Sequence, residues 1–322
     1  MRPGRIGVHL FFVISGFLIT GILLDSRQKA LSTGASTRHV LKAFFVRRLL
    51  RIFPLYYAVI LIAALLGVEE INDWLAWNLT YTSNVRDSLF GEVEHYRHFW
   101  SLCIEEQFYL TWPFLLLFVP RRSTASIVVA ALVAYPIYVG ILFHFDLQNF
   151  VYSTPLGALN TLGSGALLAL LVRDARCKEV CQNVSPFLAV VLTGLYLLLI
   201  TSCYSTSLLI YLFQSALMAV TLLAIVAWAA QPGESIVARG LMTRPLQFVG
   251  TISYGIYLLH PFVPVAVRSV LSHFGFNTAA TLGKLQLPFF LLATIGIASL
   301  SWYLFEKPIN KFKKHFPYVP KT

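Results

Sequence analysis

The sequence predicts an all-α, polytopic membrane bundle of about nine spans, and three observations predict it. Nine stretches are apolar and close to the ~20 residues that a helix needs to cross a hydrocarbon core. Hydrophobic residues make up 57% of the chain and charged residues only 12%, with a mean hydropathy of +0.71, whereas a soluble domain carries roughly twice that share of charge. Most of the 25 basic residues fall in alternate loops, as Lys and Arg do on the cytoplasmic side of membrane proteins. The net charge of +11 is therefore read against topology and not as a nucleic-acid footprint.

The candidate spans lie near residues 7–24, 50–67, 100–119, 125–145, 156–172, 186–203, 207–229, 247–271 and 285–305. They leave no separate soluble domain, so residues 1–322 read as one integral membrane unit. Pro113, Pro136 and Pro261 fall inside spans, which bundles tolerate when neighbours satisfy the freed backbone groups. Basic residues place the links after spans one, three, five and seven inside: Arg27 to Arg51, Arg121 and Arg122, Arg173 to Lys178, and Arg239 and Arg244. The tail from Lys307 to Lys321 is also basic, so the carboxyl terminus is expected in the cytoplasm. The longest outer loop is acidic, with Glu69, Glu70, Asp73, Asp87, Glu92 and Glu94. Nine spans then put the amino terminus outside, where Arg2 and Arg5 are anomalous; an additional helix before residue 1 would remove the anomaly. Asp25 and Arg27 follow the first apolar run where a signal peptide would show small residues.

The first span, GVHLFFVISGFLITGILL, carries His9 near its outer end and Ser15 and Gly16 at its middle. Small residues of this kind let helices approach closely. For His9, an interfacial structural hydrogen bond and a catalytic role both fit. The second span is fed by the basic stretch Arg38–Tyr57, RHVLKAFFVRRLLRIFPLYY. Arg48 and Arg51 are three apart, so a helix presents both guanidinium groups to one side, with Arg47 adjacent. Guanidinium forks suit phosphate oxygens, and a cytoplasmic anchor on anionic lipid headgroups fits the same residues.

The third span opens in RHFWSLCIEEQFYLTWP, where Glu105 and Glu106 stand at the head of an apolar run. Ionisable groups at membrane depth are costly, so they turn toward protein or water and mark functional paths. Ser101, Glu105, Phe108, Tyr109 and Trp112 share a helical face. One glutamate is thus expected inward among aromatic and hydroxyl groups and the other nearer the rim, although a position of both at the lipid–water boundary also fits. In the eighth span, TISYGIYLLHPF places Tyr254, Tyr257 and His260 in steps of three. A neutral His260 can accept or orient a hydroxyl proton, or simply make a buried hydrogen bond. Glu306 beside Lys307, before Pro308, reads as a local ion pair and helix stop. Cys103, Cys177, Cys181 and Cys203 form no disulfide framework. Cys177 and Cys181, with no further Cys or His nearby, read as free thiols and not as a metal site.

Four stretches in this order and spacing, GVHLFFVISGFLITG, FFVRRLLRIFPLYY, HFWSLCIEEQFYLTWP and ISYGIYLLHPF, resemble the membrane-bound acyltransferase family 3. That family includes O-acetyltransferases of surface polysaccharides, peptidoglycan, root-nodulation factors and macrolides. The resemblance runs from Gly7 to about Pro308. It implies a bundle of about ten helices that moves an acyl group, often acetyl, from acyl-CoA to a hydroxyl of a glycan or small acceptor, with no metal. By position, Arg48 and Arg51 match arginines that contact the acyl donor, Glu105 and Glu106 match the acidic pair of the third motif, and His260 matches the histidine of the fourth. Relatives begin with one more helix, which carries the favoured catalytic histidine, and many carry aspartate where His9 stands. A truncated gene model is the expectation that joins this departure to the topology. The alternatives are a nine-span member that recruits His9, an inactive member, or a transporter. No inverted repeat relates the two halves and the charges sit near span ends, which disfavours transport.

Overall fold

The computed structural model describes residues 3–91, 95–202, 207–231, 236–276 and 282–319. Arg2, Glu92, Glu94, Cys203 and Lys321, all used in the sequence reading, lie outside the described residues. No strand occurs among the described residues. The main helices are α1 (Pro3–Thr33), α2 (Thr37–Leu65), α3 (Phe99–Phe118), α4 (Thr124–His144), α5 (Pro155–Leu171), α6 (Pro186–Ser202), α7 (Leu208–Ala229), α8 (Arg244–Leu259), α9 (Phe262–His273) and α10 (Gln286–Ser301).

Each of the nine expected stretches is helical over most of its described residues, and the eighth is broken at His260 and Pro261. By length and hydropathy, five helical segments among the described residues can cross a membrane, or six if the bent pair α8 and α9 forms one span. Helices α5 and α6, at 17 residues each, reach about 25 Å at 1.5 Å per residue, short of a ~30 Å core. Outward-facing Leu110, Phe114, Ile137, Phe187, Leu198 and Leu292 are exposed, as a lipid-facing surface requires.

The expected basic loop between the first two spans is instead almost wholly helical. Helix α1 continues to Thr33 and α2 starts at Thr37, which leaves residues 34–36 as the link. Leu, Ala, Gln, Lys and Arg are good helix formers, so the chain stays helical through this stretch. Gly34 ends α1 at φ 70°, a conformation that glycine adopts without a Cβ penalty.

Two compact units divide the chain. The first comprises residues up to Leu41, Asn84–Gly91 and Trp100–Ala238. Here α1 and α5 pack backbone to backbone: a Cβ on Gly16 would lie 2.0 Å from the Leu162 carbonyl oxygen, and one on Gly165 would lie 2.0 Å from that of Val13. Val13, Leu168, Tyr196, Met218 and Leu222 form the core between these helices and α6 and α7. Arg86 and Asp87, placed in the outer loop by the sequence reading, form a buried ion pair in the short helix Ser83–Phe90.

The second unit comprises Lys42–Ser83, Glu92–Phe99 and Arg239–Thr322. Tyr56 stacks on Tyr81 with ring centroids 4.0 Å apart, and its hydroxyl donates to the Asn78 carbonyl at 2.8 Å. Tyr254 donates to the Ile52 carbonyl at 2.8 Å, which ties α8 to α2.

Candidate functional site

In the first unit, α1 and α3 run parallel and are joined by successive rungs. Phe12 meets Trp100 edge to face, with centroids 6.1 Å apart. One turn on, the Ser15 and Tyr109 hydroxyls both donate to Glu105 Oε1 in short hydrogen bonds, and Tyr109 also reaches Ser15 Oγ at 3.3 Å. Trp112 Nε1 then donates to Thr20 Oγ1 at 2.8 Å. Finally, Arg27 donates to the Leu116 and Val119 carbonyls at 2.7 and 2.8 Å, which caps the end of α3. Glu105 is 4% exposed, and the two hydroxyl dipoles aimed at its Oε1 stabilise a buried carboxylate.

This matches the inward, hydroxyl-lined glutamate expected from the sequence. Glu106 differs from the expectation: it is buried as well and does not sit at the rim. Next to it, Gln107 exchanges two amide hydrogen bonds with Asn84, at 3.1 and 3.0 Å, and these pin the short helix Ser83–Phe90 to α3. His9 is likewise buried, one edge toward Phe12. It lines a constricted internal cavity with Trp100, Tyr135, Tyr152, Asn160 and Tyr211 that has room for about one water.

In the second unit, His260 does not lie within a continuous span. Helix α8 ends at Leu259 and α9 starts at Phe262, bent by 63°. Pro261 lacks the N–H that would bond the Tyr257 carbonyl four residues earlier. That carbonyl is taken by His260 Nδ1 at 2.6 Å. A carbonyl only accepts, so Nδ1 carries the proton and the neutral ring keeps its lone pair on Nε2. The next carbonyl, of Leu258, accepts from His98 Nε2 at 3.2 Å, and Tyr257 donates to the His98 carbonyl at 3.1 Å. The two imidazoles therefore cap one broken helix end, with ring centroids 5.3 Å apart. His260 is exposed, whereas His98 is buried beside Phe99 and Phe262. Burial pushes His98 down to about 3, repulsion from a protonated His260 would act in the same direction, and the Leu258 carbonyl opposes it. His98 was absent from the sequence-derived site, although it stands in the HFWSLCIEEQFY stretch.

Arg48 and Arg51 lie on α2, Arg48 half-buried over the Phe44 ring at 5.8 Å and Arg51 exposed. Arg47 donates to the Lys313 and Phe316 carbonyls at 2.8 and 3.3 Å and lies over Tyr318, so it ties down the carboxyl-terminal segment. Glu306 makes no ion pair with Lys307. Its carboxylate is buried, accepts from Ser301 Oγ at 3.1 Å and packs against Gly255, while Lys307 lies over the Tyr303 ring. Nor does Pro308 stop the helix. A π-turn at Trp302–Glu306 precedes it, and Pro308 falls in the first turn of the helix that follows, Lys307–Asn310. The wider turn accommodates the missing N–H.

A family profile described as an acyltransferase domain matches residues 2–306. The chain belongs to that acyltransferase family. Among its relatives, the peptidoglycan O-acetyltransferase OatA of Listeria monocytogenes is 29% identical over 339 positions, covering 96% of this chain and 52% of the relative. The O-acetyltransferase OatA of Staphylococcus aureus is 26% identical over 354 positions, covering 100% of this chain and 55% of the relative. The chain thus spans about half the length of these relatives. No solved structure matches it. Family membership and the apolar helices together make the chain a membrane protein of the acyltransferase class.

Proposed function

We propose that the chain is the membrane-embedded part of an O-acyltransferase that moves an acyl group, in the first instance acetyl, from acyl-CoA to a hydroxyl of a cell-wall glycan. The observation that carries this reading is the buried Glu105 carboxylate, fixed by two hydroxyl donors within an apolar helix pair. A carboxylate in such a place is kept for chemistry and not for solubility. Arg48 and Arg51 are assigned to the donor's phosphates on the basic, cytoplasmic side, which also holds the carboxyl terminus. Glu105, Glu106, His9 and His260 are the acid–base candidates.

In the reaction, a base takes the acceptor hydroxyl's proton as its oxygen attacks the thioester carbonyl. The tetrahedral oxyanion collapses, the C–S bond breaks, and the thiolate leaves and takes up the proton that the base holds. His260 suits the base role because its free lone pair is on an exposed ring whose other nitrogen is pinned. The test is transfer of label from radiolabelled acetyl-CoA by membranes that contain the full chain. Glu105→Gln and Arg48→Ala are each expected to abolish transfer while membrane expression persists. Full activity in both variants defeats the assignment.

A further inference from the structure

A second polar site occupies the first unit, at the end of the α1–α3 ladder away from His9. There a cleft of about 440 Å³ opens between the last turns of α1, the start of α4 and the end of α5, a volume within the range of small-molecule sites. One wall is apolar, with Leu24, Leu31, Val129 and Leu167. The other carries Arg27, Arg121 and Arg173, with Asp25 and Asp174. Arg173 is neutralised: its guanidinium grips Asp25 through two hydrogen bonds, at 2.9 and 2.8 Å, and Gly21 leaves it room to lie on α1. Arg27 donates only to carbonyls, and neither Arg27 nor Arg121 forms an ion pair among the described residues. Their charge is therefore available to the cleft.

The cleft wall also includes Thr124, the first residue of the 21-residue helix α4. Thr124 is 3% exposed, and its hydroxyl has no hydrogen-bond partner. A 3-10 turn, Arg121–Ser123, leads directly into α4, with the Thr124 N–H bonded to the Arg121 carbonyl; neither turn contains a carboxylate or receives a side-chain cap, so the dipole at this end is uncompensated. With Arg173 and Asp25 paired, two arginines face one carboxylate, Asp174; that excess, a helix start with no compensating carboxylate and an unmet buried hydroxyl suit an anion, and the opposite wall suits a chain of methylenes.

We propose that this cleft binds the phosphate of an anionic amphiphile between Arg121, Arg27 and Thr124, with its apolar chain on Leu24, Leu31, Val129 and Leu167. A membrane phospholipid and a soluble acylated phosphate share that chemistry. Native mass spectrometry of the detergent-purified full chain separates them, with phosphatidylglycerol against phosphatidylcholine in one arm and palmitoyl-coenzyme A in the other. At least one anionic ligand is expected to bind, at least tenfold more weakly to Arg121→Glu and more weakly to Thr124→Val. Arg176→Glu, the same charge change outside the cleft, is expected to bind as wild type. Binding of phosphatidylglycerol alone assigns the site to lipid, and binding of the thioester alone assigns it to the soluble ligand. Equal retention of phosphatidylcholine, no binding in either arm, or equal losses in Arg121→Glu and Arg176→Glu overturns the proposal. Unchanged melting temperatures establish that each variant is folded.

Discussion

At the scale of the residue, the sharpest feature is the tautomer of His260. Pro261 frees the Tyr257 carbonyl, and the imidazole fills it. Pro261→Ala restores an N–H that competes for that carbonyl and releases the ring. The variant is expected to melt no lower than wild type, because alanine extends the helix, yet to lose acyl transfer by about tenfold or more. Equal activity would separate His260 from the chemistry. Sequence spacing had aligned Tyr254, Tyr257 and His260 on one helical face. The helix breaks at the third of them, and Tyr254 instead reaches Ile52. His98 was missed for a different reason: its partner, Leu258, lies 160 residues away, and no local pattern encodes so distant a pair.

Among elements, the α1–α5 contact depends on glycine. Ala at Gly16 or Gly165 would press a methyl group into a facing carbonyl, so the helices must part, at a cost of about 1–3 kcal/mol. The melting temperature of the purified chain is expected to fall in both variants. Gly7→Ala serves as the control, since nothing lies within 4 Å of its added Cβ. This close approach was legible in the sequence from Ser15 and Gly16, because only small residues permit it. The extents of α1 and α2 were less so: hydropathy marks the apolar part of a helix, and the charged turns that continue it past Leu24 and before Leu50 are helical without being apolar. For Glu306 the neighbouring lysine suggested an ion pair, but the π-turn rotates the carboxylate inward to Ser301.

For the whole molecule, the fold class followed from composition and from the spacing of apolar runs, because a chain this oily has few other ways to satisfy its backbone. Stability adds a dependence on acidity. His98 is held neutral in the folded chain down to about pH 3, whereas an unfolded histidine takes a proton near pH 6.5. Between these values the unfolded state binds the extra proton, so stability falls as pH drops through that window and is fully regained above it. Thermal melts from pH 7.5 to 5 are expected to show this decline, and His98→Gln is expected to flatten it. A parallel decline in the variant would remove His98 as the cause.

The rungs between α1 and α3 also key their register. A slide by one helical turn, about 5.4 Å, would set Phe11 and Phe12, or Leu18 and Ile19, opposite Glu105 in place of Ser15. No hydroxyl waits at either neighbouring notch of α1, so the carboxylate would lose the donor that the facing helix supplies, and the pair has one seat where piston-like travel would need two.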